Sequence, residues 1–523
     1  MKKILNLLLI GFVVVASSSC KKFLDINENP NDALTATPEL ILPQAITATA
    51  NQMYNYNIYG GQTVGYYANG GGVSGWGSII TYNYTTTDFQ VLWNTTYDIL
   101  NDFEYVLKDT EQEGNEQYAY YNAIAKIMKA YNFQLLVDTY NDAPYSEAFQ
   151  GNEALAVGYD DAPTIYKNIT DLVDQAFNTI VEADDDLVLQ VGEAQDPMFG
   201  GDMLSWAQFA QSLKLKLIIR GGDKVSFSNK TFDESIGFLE DDAIVNPGYA
   251  KIDDKQNRLW NNWAYNAAGT RQTRGGQFIP TPYVLGFYSG DKISDNARGT
   301  AVYKAFSNGS APTNQLGYEG SDAKRGENPN SWFKGTSSTS YSELGIFKGY
   351  DAGQPLMLAA EVYLNKAEAV LKGIISGDAK EDFENGIIAS FAYLYKDAAG
   401  SIPSSRDYVG DAEAYFTTNS NNPLVNFSGS NEQKLEAIIT QKYIAYNMIM
   451  GHEAWNDYRR TGYPKTVANP QGNAVNSMVS LVSQASTPDR LPTRLLYPES
   501  EFKYNSSNVI TVDPNKDKIF WAK

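Results

Sequence analysis

Nucleophilic chemistry has almost nothing to work with in this 523-residue chain, which holds one histidine, His452, and one cysteine, Cys20. A Ser/His/Asp or Cys/His site needs an imidazole within hydrogen-bond reach of its nucleophile, so any such site would have to be built around His452. Cys20 directly follows an apolar N-terminal run and is not placed to partner it. No phosphate-cradling glycine loop, H-E-x-x-H pair, G-x-S-x-G elbow or dinucleotide fingerprint occurs. Asp25, Asn27 and Asn29 alternate like the start of a calcium loop, but the glycine of its sixth position and the glutamate of its twelfth are missing. The sequence therefore predicts no catalytic residue, no metal ligand and no cofactor. Glycoside hydrolysis asks only for two carboxylates at the right separation. With 61 acids in the chain it stays an alternative, although no pair stands out. Glu361, Glu368 and Glu453 sit in apolar helical patterns, where a carboxylate is expected to answer buried donors or arginines. Arg459 and Arg460 are placed in the same network, and His452 is read as structural.

Aromatic surface, by contrast, is abundant: 36 Tyr, 23 Phe and 8 Trp. Sugars present C–H faces that stack on Trp and Tyr, and hydroxyls that need polar partners. One stacking platform contributes on the order of 1 kcal/mol beyond area burial, so a usable site needs several in an arc. Two irregular tracts offer them. In residues 55–87, rich in Gly, Tyr and Asn, the candidates are Tyr67, Trp76, Tyr82 and Tyr84. In residues 252–344 they are Trp260, Trp263, Tyr265 and Trp332, with Arg271 and Arg274 as polar complements. Core packing competes for each of these side chains. The net charge of −20 argues against nucleic acid or anionic lipid as a partner.

The elements that must position these tracts are helical. Ile124, Ile127, Met128, Tyr131 and Leu135 form one apolar face of a long helix, with Asn122, Lys126 and Lys129 opposite, and Asn141 and Pro144 end it. Pro163 opens the next helix, whose apolar face is Ile165, Ile169, Leu172, Val173, Ala176 and Ile180. Asp202 caps another, and Lys214, Lys216 and Arg220 crowd its C-terminal half, where the dipole favours cations. Further helices are expected over 42–53, 89–108, 355–372, 382–395 and 432–458, with a loop over 400–430. Helical scaffold at 88–222 and 355–460 thus alternates with loop-rich tracts at 55–87 and 252–344. No inter-domain linker separates them, so residues 37–523 read as one intertwined domain. Ahead of it, residues 1–19 have the basic, apolar and small-residue regions of a secretory signal. Cys20 then takes the place of a lipoprotein's acylated first residue, with 20–36 as a polar tether.

Five blocks resemble the SusD-like (RagB/SusD) family of outer-membrane nutrient-binding lipoproteins. They are NEQYAYYNAIAKIMKAYNFQLLVDTYNDAPYSEAF (115–149), GGDMLSWAQFAQSLKLKLIIR (200–220) and PLMLAAEVYLNKAEAVLKGIISGDAKEDFENGIIASF (355–391). QKYIAYNMIMGHEAWNDYRRTGYP (441–464) and RLPTRLLYPESEFKYNSSNV (490–509) complete the set. The resemblance implies an all-α-dominated fold: about four tetratricopeptide-like helix pairs in a superhelical scaffold, long irregular loops and little strand. It also implies a lipoprotein on the outer membrane, facing the cell exterior, that captures oligosaccharide and serves as the lid of a SusC-like TonB-dependent transporter. Peptide-binding relatives make a peptide the alternative cargo.

Overall fold

The computed structural model describes residues 36–151, 154, 156–320 and 345–523. The signal segment, Cys20, nearly all of the tether and Trp332 lie outside the described residues. Among these residues, sixteen α-helices and four short strands follow in chain order. The first half runs α1 (Pro38–Thr63), β1 (Tyr67–Asn69), α2 (Ser78–Thr81), α3 (Val91–Thr110), α4 (Ala119–Tyr140), α5 (Ala162–Glu182), α6 (Met203–Gly221) and β2 (Ala243–Val245). Then come α7 (Arg258–Trp263), α8 (Thr273–Gln277), β3 (Phe278–Pro280), α9 (Pro282–Ser289), α10 (Asn296–Val302) and β4 (Gln354–Met357). The chain closes with α11 (Ala359–Leu371), α12 (Ala379–Tyr395), α13 (Tyr408–Thr418), α14 (Asn431–Ala445), α15 (Gly451–Thr461) and α16 (Glu499–Tyr504).

Local chemistry sets the boundaries of the helices. The Asp161 side chain accepts from the Thr164 amide and Asp202 from Leu204, while Ser430 and Gln433 form a reciprocal capping box. Helices α3 and α4, α5 and α6, α11 and α12, and α14 and α15 pack as four successive pairs, with α4 against α5 and α6 against α11 joining them. This is the helix-pair scaffold expected from the sequence. Helix α1 lies across it, against α3 and α15.

Three helix assignments are corrected. Residues 55–63, expected as loop, continue α1, because Tyr56 and Tyr59 are buried along it and supply the apolar contacts its Gly/Asn composition hides. The helix expected over 432–458 is two, interrupted at 446–450, where Met448 adopts φ 64°. The loop expected over 400–430 contains α13.

Helices α1 and α15 cross at glycine on both sides. A Cβ on Gly60 would stand 2.4 Å from the Gly451 carbonyl carbon, and one on Gly451 would stand 2.4 Å from the Gly61 nitrogen. Any side chain there would force the helices apart.

Helix α4 departs from an amphipathic pattern, since nearly every residue of it is buried, Asn122, Gln134 and Asp138 included. Its polar groups feed an ionic centre in the middle of the scaffold. Arg220 bridges Asp138 and Glu453, and Lys216 sits 2.8 Å from Glu361 and 3.2 Å from Glu453. Arg460 holds Glu368 at 2.8 Å and Asp457 at 3.0 Å, and Lys442 reaches Asp457 at 2.6 Å. Arg459 donates to the Asp138 carbonyl at 2.6 Å. Five carboxylates thus meet five cations, all buried except Arg460, which is partly so. Burial alone would raise the pKa of Glu453, but Arg220 and Lys216 overcome it and hold the carboxyl well below the ordinary range. Lys216 and Arg220 therefore serve the centre rather than the helix dipole. His452 Nδ1 lies 2.9 Å from Asn57 Oδ1, buried at the α1–α15 crossing.

Candidate functional site

Two three-residue strands bring the aromatic tracts together. Strand β1 pairs antiparallel with β3, Tyr67 opposite Pro280 and Asn69 opposite Phe278, and the Gly70 amide extends the ladder to the Gln277 carbonyl at 2.6 Å. Phe278 becomes the hub. Trp263 stacks on it with ring centroids 4.3 Å apart, and Tyr67 and Trp76 meet it edge-on at 4.9 and 5.0 Å. The Tyr54 hydroxyl accepts from Trp263 Nε1 at 3.2 Å and from Arg274 Nη1 at 3.0 Å. The Arg274 guanidinium lies 5.9 Å from the Phe278 centroid.

Helix α7 carries Trp260 and Trp263 inward. Its N-cap Asn257 accepts from the Trp260 amide at 3.1 Å and donates to the Ala352 carbonyl at 3.0 Å, which fixes the helix to the body. Trp260 packs on Tyr265 at 5.9 Å, and a β-bridge joins Tyr265 to Arg271. A third wall comes from residues 311–320: Asn314 donates to the Asn69 carbonyl at 2.7 Å, and Asn69 donates to the Tyr318 carbonyl at 2.7 Å.

The predicted residues divide into three groups. Trp76 and Tyr265 are half-buried, and Arg271 and Arg274 are exposed, so these four face solvent on one aromatic cluster. Tyr67, Trp260 and Trp263 are in the same cluster but at most 2% exposed, so they back the surface rather than offer a face. Tyr82 and Tyr84, 1% and 6% exposed, belong elsewhere: they pack on one another and, through Tyr84, on Phe89. The reason is local. Tyr82 takes φ 58° as the left-handed cap of α2, which turns its ring inward. Burial pushes both phenols far up from their ordinary pKa.

The sequence did not single out Tyr54, Phe278 or Tyr318. Tyr54 is a helical residue and Phe278 falls in a strand too short to have a readable period. Tyr318, at 38% exposed, was visible as an aromatic of the second tract, but nothing marked it apart from its neighbours.

Beneath Tyr67 and Trp260 lies a cavity of about 40 Å³, lined also by Asn57, Lys348 and Gln354, with room for a few waters. Lys348 donates there to the carbonyls of Tyr393 and Lys396 at 2.7 and 2.5 Å, and burial lowers its pKa to about 7. A larger open groove of about 1180 Å³ runs beside the start of α1, between Leu40, Pro43, Asn246 and Tyr249. Among the described residues, no three His, Cys, Asp or Glu side chains are placed to hold a metal ion, and no helix is long and apolar enough to cross a membrane. The aromatic cluster can stack flat apolar faces and donate hydrogen bonds from two guanidinium groups. Among the described residues it brings together no carboxylate pair of the kind glycoside hydrolysis needs.

Residues 30–498 match the family described as "SusD-like_2: Starch-binding associating with outer membrane". The chain belongs to the SusD-like family. A chitin-binding protein of solved structure superposes with a TM-score of 0.68 at 20% identity, covering 93% of this chain and 99% of that one. A SusD homologue from Bacteroides uniformis gives 0.65 at 23% identity, covering 92% and 99%. A chitin-binding SusD homologue from Flavobacterium johnsoniae gives 0.63 at 20% identity, covering 91% and 98%. At these identities the likeness concerns the fold. No curated protein matches the sequence.

Proposed function

We propose that this SusD-like protein captures oligosaccharide at the cell surface, through the cluster around Phe278. It passes the sugar to a SusC-like TonB-dependent transporter, for which it acts as the lid, while a lipid on Cys20 tethers it to the outer membrane. The step is binding followed by opening and closing, with no bond made or broken. One observation carries the reading: tracts more than 200 positions apart in the chain meet at Tyr54 and along β1 and β3, with Trp76 and Tyr265 half-buried and Tyr318 exposed beside them. Flat aromatic faces beside amide and guanidinium donors suit sugar rings, which are apolar on their faces and polar at their edges. The family's description as starch-binding and outer-membrane-associating supports the ligand class and the location.

The test is an array of oligosaccharides and peptides probed with the purified protein and with Trp76→Ala. Glycan binding that weakens about tenfold in the variant, the scale of a lost aromatic anchor, is the expected result. Peptide binding alone, or turnover of any glycan, would refute it. Recovery of a large barrel protein with the detergent-solubilised lipoprotein is expected in the same preparation.

A further inference from the structure

The charge pattern around the cluster names a ligand class, and the inference rests on the glycan-binding reading above. From Leu40 to Thr87 the sequence has no charged residue, and from Ala305 to Tyr318 it has none. Between Gln256 and Gly290 it has three, Arg258, Arg271 and Arg274, and no carboxylate. The stretches that build the cluster thus carry three arginines against a single carboxylate, the exposed Glu319 at the outer end of the third wall, in a chain whose net charge is −20. The arginines of the interior are committed elsewhere: buried Arg220 and Arg298 and half-buried Arg460 stand in ion pairs, and Arg459 and Arg494 donate to backbone carbonyls. Arg271 and Arg274 are different. Both are exposed, and neither has a carboxylate partner among the described residues. A guanidinium has five N–H donors, and Arg274 uses one nitrogen on the Tyr54 hydroxyl.

We infer that this site selects acidic oligosaccharides, those with uronate or sulfate groups, over neutral ones. The carboxylate or sulfate of a sugar stacked near Trp76 or Tyr265 is taken by Arg274 and Arg271 in the paired geometry a planar guanidinium favours. Salt at physiological strength screens charges beyond about 8 Å, so the protein's distant acids do not cancel these two arginines. An acidic peptide fits the cluster less well. Peptides commonly bind by adding to a sheet edge, and both β1 and β3 are buried along their whole length.

The experiment measures binding of the purified protein to uronate-containing and sulfated oligosaccharides, to neutral oligosaccharides of matching length and linkage, and to acidic peptides. It is repeated with Arg271→Gln, Arg274→Gln and Arg274→Lys, each checked for an unchanged melting transition. Because its side chain is exposed and has no protein partner among the described residues, Arg271→Gln keeps the test sound if the Arg274 variants fold poorly. The expected result is preference for the acidic glycans, a loss of about tenfold in each Gln variant, partial recovery in Arg274→Lys, and weakening as salt is raised. Neutral glycans bound as tightly as acidic ones, with the Gln variants unchanged but Trp76→Ala impaired, would overturn this inference and leave the glycan reading standing. Binding confined to acidic peptides, or no glycan bound at all, would overturn both.

Discussion

The ionic centre and the aromatic cluster handle charge in opposite ways. In the centre, Asp138, Glu361, Glu368, Glu453 and Asp457 meet Lys216, Arg220, Lys442, Arg459 and Arg460, and the network reaches the surface only at its edge, where the exposed Lys372 pairs with Glu368 beside half-buried Arg460. In the cluster, Arg271 and Arg274 stand at the surface with no carboxylate partner among the described residues. Networks of this kind fix the relative placement of helices, and removing one member leaves a buried charge uncompensated. Cations left open beside aromatic faces have no structural task of comparable weight. The contrast separates scaffold from site more cleanly than residue type does, because both regions are rich in arginine and tyrosine.

Five substitutions probe that contrast. Glu453→Ala strands Arg220 and Lys216 in the interior and should cost about 3–5 kcal/mol in urea unfolding, with little change in ligand affinity of whatever protein still folds. Because the folded Glu453 carboxyl titrates below its unfolded value of about 4.3, its contribution is complete above that pH and is lost as the pH falls toward the folded value. Gly60→Ala places a methyl group into the backbone of α15 and should cost about 3 kcal/mol, read in the same titration. Tyr82→Ala and Trp76→Ala form the sharpest pair. The first should lower stability by about 3 kcal/mol and leave glycan affinity intact. The second should move stability by only about 1 kcal/mol while weakening glycan binding about tenfold. Equal effects of the two on affinity would erase the distinction between core and site tyrosines and tryptophans. Smallest is a pH effect at Lys348. Its folded pKa of about 7 lies below that of free lysine, so between pH 7 and 9 the unfolded chain binds the extra proton and stability rises with pH. A slope of about 1 kcal/mol per pH unit should appear in denaturation midpoints across that range and flatten in Lys348→Met.

Much of the scaffold was legible in the sequence. Helix α5 shows Ile165, Ile169, Leu172, Val173, Ala176 and Ile180 on one face and opens at Pro163, and it forms nearly as read, with Leu172 only partly buried. The reading failed where burial surrounds a helix. Helix α4 carries no clean stripe because polar residues on its second face answer the ionic centre, and α1 runs on through Tyr, Asn and Gly that pack rather than loop. The role predicted for Glu361, Glu368, Glu453, Arg459 and Arg460 is met in the structure. For the site, the two tracts were identifiable by composition, but their meeting was not. It depends on three residue pairs between β1 and β3, too few to leave a pattern, and on one hydroxyl, that of Tyr54, at the junction.

The ionic centre also sets a timetable. Trp521 Nε1 donates to Asp138 Oδ1 at 2.9 Å across 383 positions, the Phe520 amide reaches Asn141 at 2.6 Å, and Arg494 donates to the Tyr140 carbonyl. At roughly 5–20 residues per second of synthesis, that separation is roughly 20–80 s. For this interval the α4 segment, already made, waits with Asp138 short of a partner, as it first waits for Arg220. The helix pairs that contain Asp138 therefore stay incomplete at that one carboxylate until the C-terminal residues are made, and a product truncated before Trp521 would leave Asp138 without that donor.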